Sequence, residues 1–466
     1  GAYALMAKDP LYTGRLHVRI GDRIRPWPHN PRYWMYNGKP ILLLGGSVED
    51  NLFQIDGLEK HLDEMVAVGA NYIRNVMSDR DHGNVYAYER SRDGTFDLAN
   101  WCDEYWSRLS RMLKLTAERD IIVQIEIWDR FDHSRGPYQA SPYRPANNVN
   151  YTSEESGLAD EYPLHPATDV QPFFHTVPGM AKYRPVYELV RSYQERFVEK
   201  LCSYTLGHGH ILYCMNNETS TEPGWGRYWI DFIRRQARAK ALELPVTDMF
   251  DDIHKGRESA KLPTVRDDPR TYTFADISQV NSRNFGDRHW DRVTWALKEI
   301  HRHPRPTGCV KTYGGGYTSF GSGGREDGVE RFIRNILAGC HGTRFHRPPA
   351  GNGLNDMAKA AIEAIRKVQT AVQFWDLNPR MDLLIGRVAD SAYCAARPGK
   401  SYVVYFPYGR SVKLDLSACS APMRLRWVSV GTGNWVYDAE ELPTGVVELR
   451  TRAAGGWVAV ITSKSD

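Results

Sequence analysis

Between residues 41 and 378, short apolar runs alternate with amphipathic stretches whose apolar residues recur at helical spacing. This alternation is typical of parallel β-strands that are each followed by a helix, because parallel neighbours need a long crossover connection. Eight such runs occur, at residues 41–45, 71–77, 121–128, 211–215, 245–250, 274–280, 308–313 and 343–346. Eight is the strand number of a (β/α)₈ barrel, which takes about 250 residues or more. We therefore predict an α/β fold with a TIM barrel over residues 41–378.

The segments on either side of the barrel have the alternating pattern of β-strands. Residues 1–40 contain Tyr33-Trp34-Met35-Tyr36-Asn37-Gly38-Lys39, which predicts an N-terminal β extension leading into the barrel. From residue 379 to 466, short alternating runs separated by turn residues predict a C-terminal antiparallel β-sandwich. Inside the barrel, the Pro-, Tyr-, His- and Asn-rich residues 129–185 are too many for a simple connection. We expect this segment to be a lid or a substrate-binding insertion.

Composition argues against several classes of protein. The hydrophobic share of 42% and the charged share of 25% are typical of a globular chain and not of a disordered one. No apolar run approaches the roughly 20 residues of a membrane helix, and a net charge of +4 gives no reason to expect nucleic acid. The seven cysteines include no CxxC pair and no zinc-site spacing with histidine, so we expect no metal and no cofactor. The sequence predicts no oligomeric state.

The carboxyl ends of the predicted strands carry polar side chains, and barrel enzymes place their active sites at this face. Several carboxylates occur there among amides, cations and aromatic rings that suit a sugar. Glycoside hydrolysis needs one carboxylic acid to protonate the leaving oxygen and a second carboxylate as nucleophile or base. The candidate residues are, in strand order, Arg74, Asn75, Glu126, Trp128, Asp129, Asn217, Glu218, Asp276, Gln279, Lys311, Tyr313, Arg344, His346 and Arg347.

The entry into the barrel contains three short motifs, Asn30-Pro31-Arg32-Tyr33-Trp34, Gly38-Lys39-Pro40-Ile41 and Gly45-Gly46-Ser47. Followed by a barrel and a C-terminal β domain, these motifs resemble bacterial glycoside hydrolases of clan A, the large (β/α)₈ retaining clan, and in particular apiosidase-like barrels. The resemblance implies that Glu218 is the acid/base residue and that Asn217 bonds the sugar 2-hydroxyl. It also implies that Arg74 is the arginine of the clan's second strand.

The seventh strand departs from that clan. The resemblance implies a nucleophilic glutamate at the end of this strand, but the segment reads Cys309-Val310-Lys311-Thr312-Tyr313-Gly314 and contains no carboxylate. The partner of Glu218 could sit on another strand, with Asp276 as the first candidate and Glu126 and Asp129 as rivals. Alternatively, the reaction could be inverting, with a more distant carboxylate that activates water. A third reading is a barrel that has lost catalysis and only binds glycans.

Cations are grouped at the ends of strands seven and eight, where Lys311, Arg344, His346 and Arg347 lie. Such a group would recognise the carboxylate or sulfate groups of an acidic glycan, although pairing with nearby carboxylates in a structural network explains it equally well. We predict a glycoside hydrolase of a polysaccharide or oligosaccharide, with Glu218 as general acid. A lyase that uses Lys311 and Tyr313 as base and acid is an alternative. A polysaccharide-degrading enzyme of this kind is expected to be secreted or periplasmic.

Overall fold

A computed structural model describes residues 22–316 and 321–464. Eight parallel strands form its main sheet: Leu43–Gly46, Tyr72–Val76, Ile122–Asp129, Ile211–Asn217, Val246–Thr247, Ala275–Asp276, Thr307–Thr312 and Gly342–Phe345. Each strand lies beside its neighbours in the chain, and the eighth pairs with the first. Between the fifth and sixth strands, the backbone N–H of Thr273 donates to the carbonyl oxygen of Val246 at 2.9 Å. The predicted (β/α)₈ barrel is confirmed.

A helix follows each barrel strand and covers the outside of the sheet. These helices are Leu58–Ala67, Asp103–Glu118, Glu188–Thr205, Pro223–Arg238, Leu262–Asp267, Gly286–Ile300, Arg325–Ala338 and Asp356–Gln369. Their ends follow from local chemistry. The side chain of Asn355 caps the last helix by accepting the N–H of Ala358, and Gly339 ends the helix before it at a φ of 106°, which glycine adopts without strain.

Two barrel strands are shorter than predicted. The fifth extends over Val246–Thr247 and the sixth over Ala275–Asp276. In the sixth, the Asp276 carboxylate accepts the backbone N–H of Ser278 at 2.8 Å, and the chain turns into the 3₁₀ helix Ser278–Asn281. A hairpin of Tyr88–Arg90 and Phe96–Trp101, between the second strand and its helix, was not predicted.

The N-terminal strands Arg25–Trp27, Asn30–Tyr36 and Lys39–Ile41 form a small antiparallel sheet. Trp34, from this sheet, is fully buried and packs in one apolar cluster with Leu43, Tyr72 and Phe274 of the barrel. The apolar side chains therefore fill the lower part of the barrel interior and leave its polar side chains above them. Residues 1–21 of the predicted N-terminal extension lie outside the described residues.

The predicted insertion over residues 129–185 forms short helices, Arg135–Ala140 and Ser153–Ser156, joined by 3₁₀ turns. Its aromatic side chains are buried: the rings of His133 and Phe173 stack with centroids 3.6 Å apart, and Tyr143 packs edge-on against Phe173. This segment is therefore a packed layer over the barrel, and its Tyr143 and Phe173 belong to the same apolar core as the barrel.

The C-terminal residues form two antiparallel sheets. One contains Asn378–Pro379, Tyr393–Arg397, Ser401–Phe406, Trp457–Thr462, Met423–Ser429 and Trp435–Leu442, and the other contains Leu384–Ile385, Ser411–Asp415 and Val446–Arg450. Alternate residues of the strand Ser401–Phe406 face opposite sides: Val403 and Tyr405 pack with the barrel core, and Val404 and Phe406 pack inside the sandwich. The predicted sandwich is confirmed. No helix in the described part of the chain is long and apolar enough to span a membrane.

Candidate active site

A cavity of about 1010 Å³ opens at the carboxyl ends of the barrel strands. This is the face at which barrel enzymes build their active sites. Of the predicted site residues, eight line the cavity: Arg74, Asn217, Glu218, Gln279, Lys311, Tyr313, His346 and Arg347. They come from strands two, four, six, seven and eight, so the closure of the sheet brings them together.

Glu218, directly after the fourth strand, lies at the centre of this set. Its oxygens are 2.7 Å from Lys311 Nζ and 2.7 Å from Arg130 Nη2, and the Tyr313 hydroxyl donates to it at 3.1 Å. Its backbone has a φ of 53°, a left-handed conformation that costs energy for a residue other than glycine and is concentrated at functional sites. The structure thus holds this carboxylate at a fixed position in the cavity.

The charges around Glu218 set its protonation state. Burial alone would raise the pKa of its carboxyl group, but the two cations Lys311 and Arg130 more than offset burial and hold the pKa well below its ordinary value. In the free protein Glu218 is therefore ionised at neutral pH. An ionised carboxylate at this position can accept a proton, and the role of Glu218 as general acid stays a prediction.

A closed ring of polar contacts links Glu218 to a second carboxylate, Asp251. Arg130 donates to Glu218 through Nη2 and to Asp251 through Nη1, the latter at 3.4 Å. Gln279 donates to Asp251 at 2.7 Å. The Tyr313 hydroxyl lies 3.0 Å from Gln279 Oε1 and 3.1 Å from Glu218 Oε1, so these two oxygens share its single proton. We call these five residues the carboxylate ring.

A buried ion-pair network lies next to the ring. Arg74 binds Glu126 with two nitrogens, at 2.5 and 3.0 Å, and binds Asp50 at 2.5 Å. Its Nη2 also donates to Asn217 Oδ1 at 2.7 Å, and Lys311 donates to the same oxygen at 3.0 Å. Because buried charges need partners, this network fixes the polar upper part of the barrel interior.

Three predicted catalytic carboxylates do not line the cavity. Asp276 is buried and accepts Gln124 Nε2 at 2.8 Å, and Glu126 is fully enclosed against Arg74. The Asp129 carboxylate forms an ion pair with Arg80 Nη1 at 2.5 Å, and Asp129 lines a separate cavity of about 40 Å³. The structure thus does not place these three carboxylates as partners of Glu218, because each is paired with another side chain of the protein and does not face the cavity.

Three predicted substrate-binding residues are also enclosed away from the cavity. Asn75 is fully buried and accepts the backbone N–H of Phe53 at 3.0 Å. Trp128 packs among aromatic rings, including that of Trp229 at 5.4 Å. Arg344 donates to the Ser47 hydroxyl and, at 3.0 Å, to the Val310 carbonyl. Each of them therefore stabilises the fold at its position, and none faces the space that a sugar could occupy.

The cations at the ends of strands seven and eight do not form a separate positive group in the structure. They alternate with carboxylates in ion pairs. Lys311 pairs with Glu218, and Arg347 pairs with Asp50 at 3.0 Å and Glu49 at 2.8 Å. His346 lies 3.9 Å from Asp50, and burial holds the pKa of its imidazole well below the ordinary value, so it is neutral. The structural-network alternative for these cations is the one that the contacts support.

Sequence reasoning missed Arg130 and Asp251, two members of the carboxylate ring. Both lie just beyond strands that were correctly located, Arg130 after the third and Asp251 after the fifth. Extending the search by a few residues past each strand end would have found them, since loops beyond barrel strands carry catalytic groups. No group of three or more His, Cys, Asp or Glu within the described residues is arranged to hold a metal ion.

Comparison with known proteins supports the fold. No family model and no curated protein sequence matches the chain. Among solved structures, a glycoside hydrolase family 5 protein from Bacteroides vulgatus is similar, with 14% identity, a TM-score of 0.65, and coverage of 95% of this chain and 93% of that one. A second structure, titled a glycoside hydrolase, has 14% identity and a TM-score of 0.64, with coverage of 95% and 97%. The chain thus shares the architecture of TIM-barrel glycoside hydrolases over nearly its whole length.

Proposed function

We propose that this protein is a glycoside hydrolase of an acidic polysaccharide or oligosaccharide. The observation that carries the proposal is the pair Glu218 and Asp251, two carboxylates that face one cavity and share Arg130. Since one guanidinium group joins them, their nearest oxygens lie no more than roughly 8.5 Å apart. Retaining and inverting glycosidases place their two carboxyl groups about 5–9.5 Å apart, so this pair is within reach of a single glycosidic bond.

The two carboxylates take complementary roles. Glu218, kept ionised by Lys311 and Arg130, acts as base and takes a proton from the water that attacks the anomeric carbon. Asp251, the other carboxylate on Arg130, takes a proton from solvent and donates it to the leaving oxygen. One bond to the leaving oxygen breaks and one to water forms, and solvent resets the two protons.

An acidic substrate is the finer part of the proposal. Among the described residues that line the cavity, ten are Lys or Arg and only four are Asp or Glu. A cavity with this excess of cations attracts carboxylate or sulfate groups and disfavours cationic ligands. The resemblance to the apiosidase-like group of clan A and a secreted or periplasmic location belong to the same proposal.

The test is a screen of neutral, uronate-containing and sulfated oligosaccharides for release of reducing ends. On the substrate found, Glu218→Gln and Asp251→Asn are each expected to lower kcat by about 10²–10⁴, the usual contribution of a positioned acid or base. Glu243→Gln, at an exposed position outside the cavity, is the matched control. Wild-type turnover by Glu218→Gln would overturn the proposal.

Elimination is the second candidate reaction. Its support is the pair of Tyr313 and His346, whose ring centroids are 5.1 Å apart in the cavity. Burial raises the pKa of Tyr313 and lowers that of His346, so the first keeps a proton to donate and the second can accept one. A lyase would remove the proton next to a uronate carboxylate and expel the leaving oxygen. Its product has an unsaturated ring and absorbs ultraviolet light, whereas the product of hydrolysis does not.

A further inference from the structure

The cations that line the cavity form two groups with different surroundings. Those deep in the cavity are neutralised by carboxylates of the protein. Arg74 pairs with Asp50, and Lys311 pairs with Glu218. Those at the mouth are not neutralised in this way. Lys255 and Arg288 are exposed, line the cavity, and make no ion pair with any described residue. The excess positive charge of the cavity is therefore concentrated at one part of its mouth.

We infer that Lys255, Arg288 and Arg292 form a second anion-binding site, the rim site, which takes a sulfate or carboxylate group on a glycan unit beyond the cleaved bond. The inference rests on the proposed function, because it assumes that the cavity holds an acidic glycan. It adds a subsite, separate from the carboxylate ring, and assigns the acidic preference to residues that the sequence did not indicate.

The backbone fixes the position of this site. Arg292, on the helix Gly286–Ile300, donates through Nη1 to the carbonyl oxygen of His254, in the 3₁₀ segment Asp251–Glu258. Gly256 permits this approach: it has a φ of 62°, and a Cβ there would lie 2.9 Å from Arg292 Nη1. The contact attaches the segment that carries Lys255 to the helix that carries Arg288 and Arg292.

The cations of the rim site repel one another, and no ion pair among the described residues neutralises them. Arg288 and Arg292 are one helical turn apart, where like charges destabilise a helix. Burial lowers the pKa of Arg292, and the charge of Arg288 lowers it further. Glu258 is the acidic residue that acts against this effect, and it makes no ion pair with the described residues. An external anion would relieve the repulsion.

The chemistry of the ligand follows from the donors and their distance from the ring. Two guanidinium groups and an ammonium suit the oxygens of a sulfate or carboxylate, which arginine binds with two parallel hydrogen bonds. Lys255 is four residues after Asp251, and four residues of 3₁₀ helix advance roughly 8 Å. The rim site therefore receives a neighbouring unit of the same glycan chain.

The test measures equilibrium binding in a Glu218→Gln background, so that the ligand is not consumed. The probes are a sulfated oligosaccharide, the same oligosaccharide without sulfate, and a short DNA duplex. The double variant Lys255→Gln/Arg288→Gln is expected to weaken binding of the sulfated probe at least about tenfold and to leave the neutral probe unchanged. Glu258→Gln, which removes the opposing charge, is expected to tighten binding of the sulfated probe. Arg397→Gln/Lys400→Gln, exposed on the C-terminal domain, is the matched control.

Three results would overturn the inference. These are unchanged affinity of the double variant for the sulfated probe, equal loss for sulfated and neutral probes, or loss confined to the DNA duplex, which would assign the rim to nucleic acid. The proposed function fails by a different measurement, since it is turnover that Glu218→Gln and Asp251→Asn test. If the rim variants bind the sulfated probe like the wild type, the assignment of Glu218 and Asp251 is unaffected. If Glu218→Gln and Asp251→Asn retain turnover, the binding result for the rim site is unaffected.

Discussion

Replacing Lys311 with methionine removes one cation from Glu218 and keeps a long, apolar side chain in place. Lys311 Nζ lies 2.7 Å from Glu218 Oε1, and the exposed fractions of the two side chains are 1% and 14%. A hydrogen bond to a charged group contributes about 1.5–3 kcal/mol, and one pKa unit corresponds to about 1.4 kcal/mol. Loss of Lys311 is therefore expected to raise the pKa of Glu218 by about 1–2 units. Arg130, at 2.7 Å, continues to favour the ionised form.

The assay is kcat/KM against pH on the acidic oligosaccharide identified by the screen. The acidic limb of this profile reports the base of the free enzyme, so Lys311→Met is expected to move it upward by about 1–2 pH units. Lys359→Met is the control, because Lys359 is 3.8 Å from Glu64 at the surface, where an ion pair has little effect. An acidic limb that stays in place would refute the assignment of Glu218 as base.

The same variant has an effect on stability with a defined sign. The folded-state pKa of Glu218 is lowered from its ordinary value of 4.5, so its ion pairs stabilise the fold above about pH 4.5, and this contribution is lost as the pH falls through the lowered pKa. Lys311→Met is expected to reduce the free energy of unfolding by about 1.5–3 kcal/mol at pH 7 and at pH 5, because Glu218 is ionised in both folded proteins at these pH values. Urea denaturation at both pH values measures the reduction, with Lys359→Met as the control. A reduction no larger than that of Lys359→Met would contradict the electrostatic explanation.

Three further substitutions test the structural assignments. Asp276→Asn is expected to retain turnover but to lower the free energy of unfolding by about 1–3 kcal/mol, because a buried acceptor is lost; a large fall in kcat would return Asp276 to the catalytic candidates. Trp128→Ala is expected to cost about 3–5 kcal/mol in urea denaturation, with no change in KM, because the ring packs in the core. Gly45→Ala places a Cβ 1.8 Å from the carbonyl oxygen of Tyr72 and is expected to prevent stable folding, as judged by soluble yield and circular dichroism. Gly136→Ala, where no atom lies within 4 Å of the new Cβ, is the control and should behave like the wild type.

The sequence predicted the barrel well because strand–helix alternation is a local signal. Runs such as residues 121–128 are mostly apolar, with Gln124 and Glu126 as exceptions, since a barrel strand is covered on both faces. The helix that follows has a single apolar side. Sequence reasoning was weaker for the sixth strand, where Asp276 caps a turn through its own side chain and ends the strand early. Apolar character alone cannot show that a side chain will bind its own backbone.

The candidate site was predicted in part. Glu218, Lys311 and Tyr313 were identified from their positions at strand ends, and the structure brings all three within hydrogen-bond distance. The choice of Asp276 as second carboxylate was not supported, because strand position does not show whether a side chain ends in the interior or reaches the cavity. Asp251 reaches the cavity since it lies beyond the strand, at the start of the 3₁₀ segment Asp251–Glu258.

What the sequence determined by itself is the number and order of the strands, and therefore the face at which polar groups collect. What only the tertiary structure decided is which charges meet. Glu218 pairs with Lys311 and Arg130 from 93 and 88 residues away, and Arg130 reaches Asp251 across 121 residues. Secondary structure follows from neighbours along the chain, whereas an ion pair depends on distances of a few ångströms that exist only after the barrel closes. The same closure neutralises the inner cations and leaves those at the rim without an ion-pair partner among the described residues.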